Sequence, residues 1–144
     1  MTHNEFSSWL HDYGRAWETR DAHAAAALFG EDSAYNETPF VEPMRGRAEI
    51  MAYWLHVVDS QEQIRFGYEI MSVAQEKGIA HWWVSFTRVR ERTKVYLDGI
   101  FIITLNSTRL CTTLREWWQR KQTATDQTVE LSPNIRRSSP LRPD

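Results

Sequence analysis

The chain has 144 residues, 42% of them apolar, which is enough for one domain with a real core and too few for two ordinary ones. A formal net charge of −2 and a pI near 6.2, with basic residues interleaved among acids, give no electrostatic reason to expect nucleic acid or an anionic membrane as partner. No apolar run approaches the roughly 20 residues of a membrane helix. The first turns carry His3, Glu5, His11, Asp12 and Arg15 in place of a signal peptide's apolar block, so a soluble, cytoplasmic protein is expected.

In chain order, Thr2 followed three positions on by Glu5 has the form of a capping box, and Phe6, Trp9, Leu10, Tyr13, Ala16 and Trp17 recur at helical spacing. They predict an amphipathic helix over about residues 4–20. Asp21 is placed to cap a second, Ala-rich helix from His23 to Phe29, with Gly30 closing it in the left-handed conformation. A short strand holding Tyr35 and Glu37 opens an irregular segment with Pro39 and Pro43. Gly46 then starts a third helix in which Ile50, Tyr53, Trp54, Val57 and Val58 form one apolar stripe.

From Gln63 the period changes to two, with Ile64, Phe66, Tyr68 and Ile70 alternating against Arg65, Gly67 and Glu69. Three more strands are expected at about 79–90, 95–105 and 109–120, joined by the polar loops Glu91–Lys94 and Asn106–Arg109. Three N-terminal helices packed on a curved antiparallel sheet make an α+β domain over residues 1–121. Residues 122–144 hold Pro133, Pro140 and Pro143 and few large apolar groups, and read as a flexible polar tail. Cys111 is alone, which excludes an internal disulfide and suits a small core residue. His3, His11, His23, His56 and His81 are scattered, so no metal is expected.

Two helices, then Leu28-Phe-Gly-Glu-Asp-Ser-Ala-Tyr-Asn-Glu-Thr-Pro-Phe40, a Gly-opened helix ending in Tyr53-Trp54, four long strands and a terminal Leu114-Arg-Glu-Trp-Trp118 form a recognisable order. It resembles the SnoaL-like branch of the nuclear transport factor 2-like superfamily, also called the ketosteroid isomerase-like or cystatin-like fold, over about residues 4–120. The resemblance implies a cone whose open end, between sheet and helices, is a mostly apolar cavity, and it implies a homodimer through the sheet. The superfamily includes isomerases, dehydratases, epoxide hydrolases, polyketide cyclases, ligand binders and adaptors, so the scaffold does not select an activity.

Glu116 lies between Leu114 and Trp118 on one strand face, and by similarity this position presents an acid to the cavity. A carboxyl group walled by Trp, Phe and Leu is poorly solvated, and its pKa rises towards the range useful for proton transfer. The alternative is a Glu116 that faces solvent or pairs with an Arg. Tyr35 and Glu37 share strand parity and are candidates to orient a polar group. Otherwise Tyr35 is a packed phenol with its hydroxyl bonded, and Glu37 a solvated loop acid. Glu37-Thr38-Pro39 is shifted by one position from the carboxylate-proline pattern of the ketosteroid isomerases.

Asp98, beside Gly99 on an otherwise apolar strand, is either a second cavity acid or a group at a bulge or on the outer face. His81 shares a face with Trp83 and Ser85, while Trp82, Val84 and Phe86 share the other, and either face suits the interior. Tyr13 stands where the resemblance seeks the isomerase phenol, whereas Phe101 or a neighbour occupies the place of that enzyme's acid. Trp17, Trp54, Trp83 and Trp118 are the expected walls. These residues lead to a pocket protein for an apolar cyclic molecule, with cofactor-independent isomerase, cyclase or dehydratase chemistry. Glu116 would be the acid/base and Tyr35 and Asp98 the orienting groups. The alternative is a noncatalytic ligand-binding or adaptor module.

Overall fold

The computed structural model describes residues 1–124 of the chain. Helix α1 (His3–Glu18) starts in a capping box, in which the Thr2 hydroxyl accepts from the Glu5 amide and the Glu5 carboxylate accepts from the Thr2 amide. Its buried stripe is Phe6, Trp9, Leu10, Tyr13, Ala16 and Trp17, as the spacing predicts. Helix α2 (Ala22–Ala26) is capped by Asp21, whose side chain accepts from the Ala24 amide.

The second helix is shorter than expected. Phe29 begins strand β1 (Phe29–Asn36), and Gly30 lies inside that strand instead of closing a helix. Phe29 is fully buried and in register with Cys111, whose amide donates to the Leu28 carbonyl at 2.8 Å. Long-range pairing and burial therefore override the local preference of an Ala-rich run for helix. The left-handed glycine is Gly46, at φ 81, where strand β2 (Met44–Arg45) turns into helix α3 (Gly46–Ser60).

Four long strands follow: β3 (Gln61–Ala74), β4 (Lys77–Arg88), β5 (Thr93–Leu105) and β6 (Cys111–Ala124). The sheet order is β2-β1-β6-β5-β4-β3. It is mixed, not purely antiparallel, because β1 runs parallel to β6. Two helices precede β1 and the third follows β2. Strand β6 also passes the expected domain end: Gln122, Thr123 and Ala124 pair with Val95, Lys94 and Thr93. The rest of the expected tail, 125–144, lies outside the described residues. Among the described residues no helix is long and apolar enough to cross a membrane.

The helices cover one face of the sheet. Trp17 of α1 reaches Trp82 of β4 with ring centroids 6.1 Å apart, and Tyr13 reaches Phe66 of β3 at 5.9 Å and Phe101 of β5 at 5.6 Å. Burying a side chain of this size stabilises the fold by about 1.5–3 kcal/mol. On β4 the consequence is a clean partition, with Trp82 1% exposed on the inner face and Trp83 42% exposed on the outer.

Candidate functional site

Strand β6 carries Leu114, Glu116 and Trp118 to the inner face, and Glu116 sits in register with Phe101 of β5. Its carboxyl is buried, at 6% exposure. The parallel strand β1 sets Tyr35 beside Leu114, so the phenol reaches across to the acid. Tyr35 donates to Glu116 Oε1 at 3.0 Å, and its oxygen lies 3.1 Å from the hydroxyl of Tyr13 on α1. Since Tyr35 has one proton and gives it to Glu116, Tyr13 is the donor of the second bond. The result is a buried chain, Tyr13 to Tyr35 to Glu116, built from three elements.

A second phenol–carboxylate pair adjoins it. Tyr53 of α3 donates to Glu37 Oε2 at 2.6 Å, the Tyr35 and Tyr53 ring centroids are 5.5 Å apart, and the Trp118 indole donates to the Glu37 carbonyl at 3.0 Å. Burial holds the Glu116 carboxyl well above the usual carboxylate range, and the negative charge of Glu37 pushes the same way, against the bond from Tyr35. None of the ion pairs among the described residues involves Glu116. Burial, followed by the neighbouring carboxylates, also raises Tyr13, Tyr35 and Tyr53, so these phenols stay protonated donors.

Trp17, Trp54 and Phe101 gather around Tyr13. Trp54 lies 5.4 Å from both Tyr13 and Trp17, and Phe101 stacks on Trp82 at 4.9 Å. The indoles of Trp9, Trp17 and Trp118 donate to Leu28, Gln61 and Glu37, whereas the buried N–H groups of Trp54 and Trp82 have no acceptor. The interior thus holds two unused donors.

Asp98, His81 and Trp83 lie on the opposite side of the sheet. With Phe101 and Gly99 facing in, strand alternation turns Asp98 and Ile100 out, and with Trp82 facing in it turns out His81 and Trp83. Asp98 is therefore an outer-face residue and not buried beside Glu116, although both border one cleft, and of the two indoles it is Trp82 that faces the interior. Tyr53, which sequence reasoning placed only in an apolar stripe, proves to be the hydrogen-bond donor to Glu37. Nothing local marks it, because Glu37 lies on a different element.

Strand β1 stops at Asn36, so the edge of β6 beyond Arg115 has no β1 partner. The segment after β1 borders a cleft of about 580 Å³ there, with Thr38, Pro39, Phe40 and Val41 on one side and residues 98–100 of β5 and 116–119 of β6, Asp98 and Glu116 among them, on the other. That volume falls in the ordinary range for a small-molecule site.

The profile of the SnoaL-like domain matches residues 10–112. The chain belongs to the SnoaL-like family. No curated protein matches it in sequence. Among solved structures it is similar to the Δ5-3-ketosteroid isomerase from Mycobacterium sp., at TM-score 0.72 and 16% identity over 83% of this chain and 98% of that one. It is similar to Rv0760c from Mycobacterium tuberculosis, at TM-score 0.72 and 13% identity over 85% and 98%. It also resembles SalBIII, described as an epoxide hydrolase/cyclase-like enzyme in pyran ring formation in the polyether salinomycin, at TM-score 0.69 and 16% identity over 78% and 88%. At such identities these likenesses carry the fold and leave the chemistry to the site.

Proposed function

We propose that this SnoaL-like protein binds an apolar, cyclic small molecule and moves a proton on it without a cofactor, in an isomerase, cyclase or dehydratase reaction. Glu116 is the acid/base. Buried and unpaired with any described cation, its carboxyl keeps its proton to higher pH than an ordinary carboxylate does, the direction that general acid/base catalysis needs. Tyr35 steadies the carboxylate left after donation, and Tyr13 steadies Tyr35. The observation that carries this reading is the buried Tyr13–Tyr35–Glu116 chain. Isomerase and cyclase-like enzymes among the similar structures support the reaction class.

A thermal-shift screen of steroids, terpenoids and polyketide aromatics identifies ligands, whose turnover is then measured. The Glu116→Gln variant is expected to retain binding and lose turnover; unchanged turnover would sink the assigned role. The second reading is a noncatalytic binding or adaptor module. It draws support from the outer face of the sheet, where Trp83, Ile100 and Trp117 are 42%, 37% and 38% exposed. The same stripe supports a homodimer through that face, under either reading.

A further inference from the structure

The outer face carries a polar cluster that the proposed chemistry does not use. Glu69 on β3 and His81 on β4 are register partners, and Asp98 on β5 is paired with the neighbouring Trp83. His81 Nδ1 lies 3.0 Å from Glu69 Oε1, and Nε2 lies 3.0 Å from both oxygens of Asp98. The imidazole is 4.9 Å from the Trp83 ring and is 28% exposed, against 62% and 66% for the two carboxylates. A histidine with a carboxylate at each nitrogen is satisfied only as the imidazolium. Neutral imidazole has a single N–H, so one carboxylate then faces a lone pair. The cluster carries one net negative charge in the first state and two in the second.

The charges around it are arranged to suit a second copy of this chain. Arg115 lies 4.9 Å over the Trp117 ring on β6, so that flank of the face is basic, while Glu69 makes the β3 flank acidic at this level. Glu69, His81, Ile100 and Trp117 lie side by side in register across β3, β4, β5 and β6. A two-fold axis in the interface, running along the strands between β4 and β5, lays β3 of one copy over β6 of the other. Glu69 then meets the Arg115–Trp117 pair of the second copy, and His81 lies over Ile100 of that copy, each contact occurring twice as a closed isologous interface requires.

We propose that the Glu69–His81–Asp98 cluster makes association through this face depend on pH, tight when His81 carries both protons and weak when it has lost one. The proposal rests on the homodimer reading above and is independent of Glu116. Covering the face strips water from the cluster, and burying two negative charges with a mismatched lone pair costs more than burying one with every N–H bonded. The bond to Asp98 foremost, and that to Glu69, already raise His81 above the ordinary imidazole value in one copy, against partial burial. The other charged groups on this face are Arg65 on β3, Lys77 on β4, Lys94 on β5 and Arg115 and Lys121 on β6. The dissociation constant is therefore constant at low pH and climbs once pH passes the His81 value of the free protomer. Each unit by which dimerisation raises that value contributes about tenfold per cluster.

Sedimentation equilibrium on the full chain between about pH 6 and pH 9 tests this, with circular dichroism confirming that each variant is folded. The wild type should dimerise at least about tenfold more weakly at the high end. His81→Gln should show no such dependence, and Asp98→Asn should move the response to lower pH. Ile100→Glu, which puts a charge in the middle of the contact, should be monomeric throughout. A wild-type dimer indifferent to pH, or a response that survives in His81→Gln, overturns the role of the cluster alone. A monomer at every pH, or a dimer that tolerates Ile100→Glu, overturns the docking face with it.

Discussion

Replacing Glu116 by Gln tests the neutral-acid reading without any knowledge of the substrate. In the unfolded chain this carboxyl titrates near the ordinary glutamate value of 4.5, and in the fold burial holds it well above that. The folded protein therefore keeps a proton that the unfolded chain releases. Stability from this group is fully present below the unfolded value and falls as pH rises, until the folded value is passed. For one proton the slope is at most about 1.36 kcal/mol per pH unit. Gln cannot titrate and lacks the slope, while its carbonyl can still accept from Tyr35 as Glu116 Oε1 does at 3.0 Å. Its extra buried N–H adds a pH-independent cost of about 1–3 kcal/mol. Other shifted groups, such as Glu5, which is lowered, and His81, which is raised, are common to both proteins and cancel. Urea unfolding from about pH 4.5 to 8 should thus give a stability difference, variant minus wild type, that climbs at up to the one-proton slope and levels off where folded Glu116 ionises. A flat difference would mean that Glu116 is charged in the fold at ordinary pH, and the proton-transfer argument would lose its basis.

Tyr35→Phe deprives Glu116 of its one described donor and Tyr13 of its acceptor, and should cost about 2–4 kcal/mol in the same assay. Because that bond lowers the Glu116 value, the levelling point should also move to higher pH. Gly99→Ala places a methyl against the Trp117 carbonyl and the Trp118 backbone, which cannot yield without disturbing the β5–β6 ladder, so a loss of about 2 kcal/mol or more is expected. Gly67→Ala first meets the half-exposed indole of Trp83, a side chain that can shift where backbone cannot, and thermal melts should show a smaller loss than for Gly99→Ala. The Cys111 thiol, fully buried and raised by that burial, should resist alkylation at pH 8 in the native protein and react at once in denaturant. Rapid native labelling would show that the β1–β6 seam opens.

Local patterns were legible and long-range pairing was not. The capping box, the α1 stripe and the alternation of Ile64, Phe66, Tyr68 and Ile70 each reside in neighbouring residues, and the structure repeats them. The early end of α2 depends on Phe29 pairing with Cys111 on the last strand, and Ala-rich propensity contains no trace of that. The same pairing governs the site. Leu114 and Trp118 give the parity that turns Glu116 inward, but its hydrogen bond exists only because β1 runs parallel to β6 with Tyr35 opposite Leu114. The inward acid could be read; the phenol chain that tunes it could not.

The Trp82-Trp83 pair shows why parity alone stops short of a site. Alternation divides the side chains of β4 into two sets and says nothing about which set is inside. Cross-strand space does not decide either, since Gly99 stands opposite Trp82 and Gly67 opposite Trp83, leaving room for an indole on each face. The decision comes from α1, whose Trp17 ring meets Trp82 and whose Tyr13 ring meets Phe101, the residue stacked on Trp82. Once that face is filled, His81 must point out, and Glu69 and Asp98, on adjacent strands with the same outward parity, come within reach of its two nitrogens. The packing that removes Asp98, His81 and Trp83 from the interior is thus the same packing that assembles them as a charged cluster on the opposite side of the sheet.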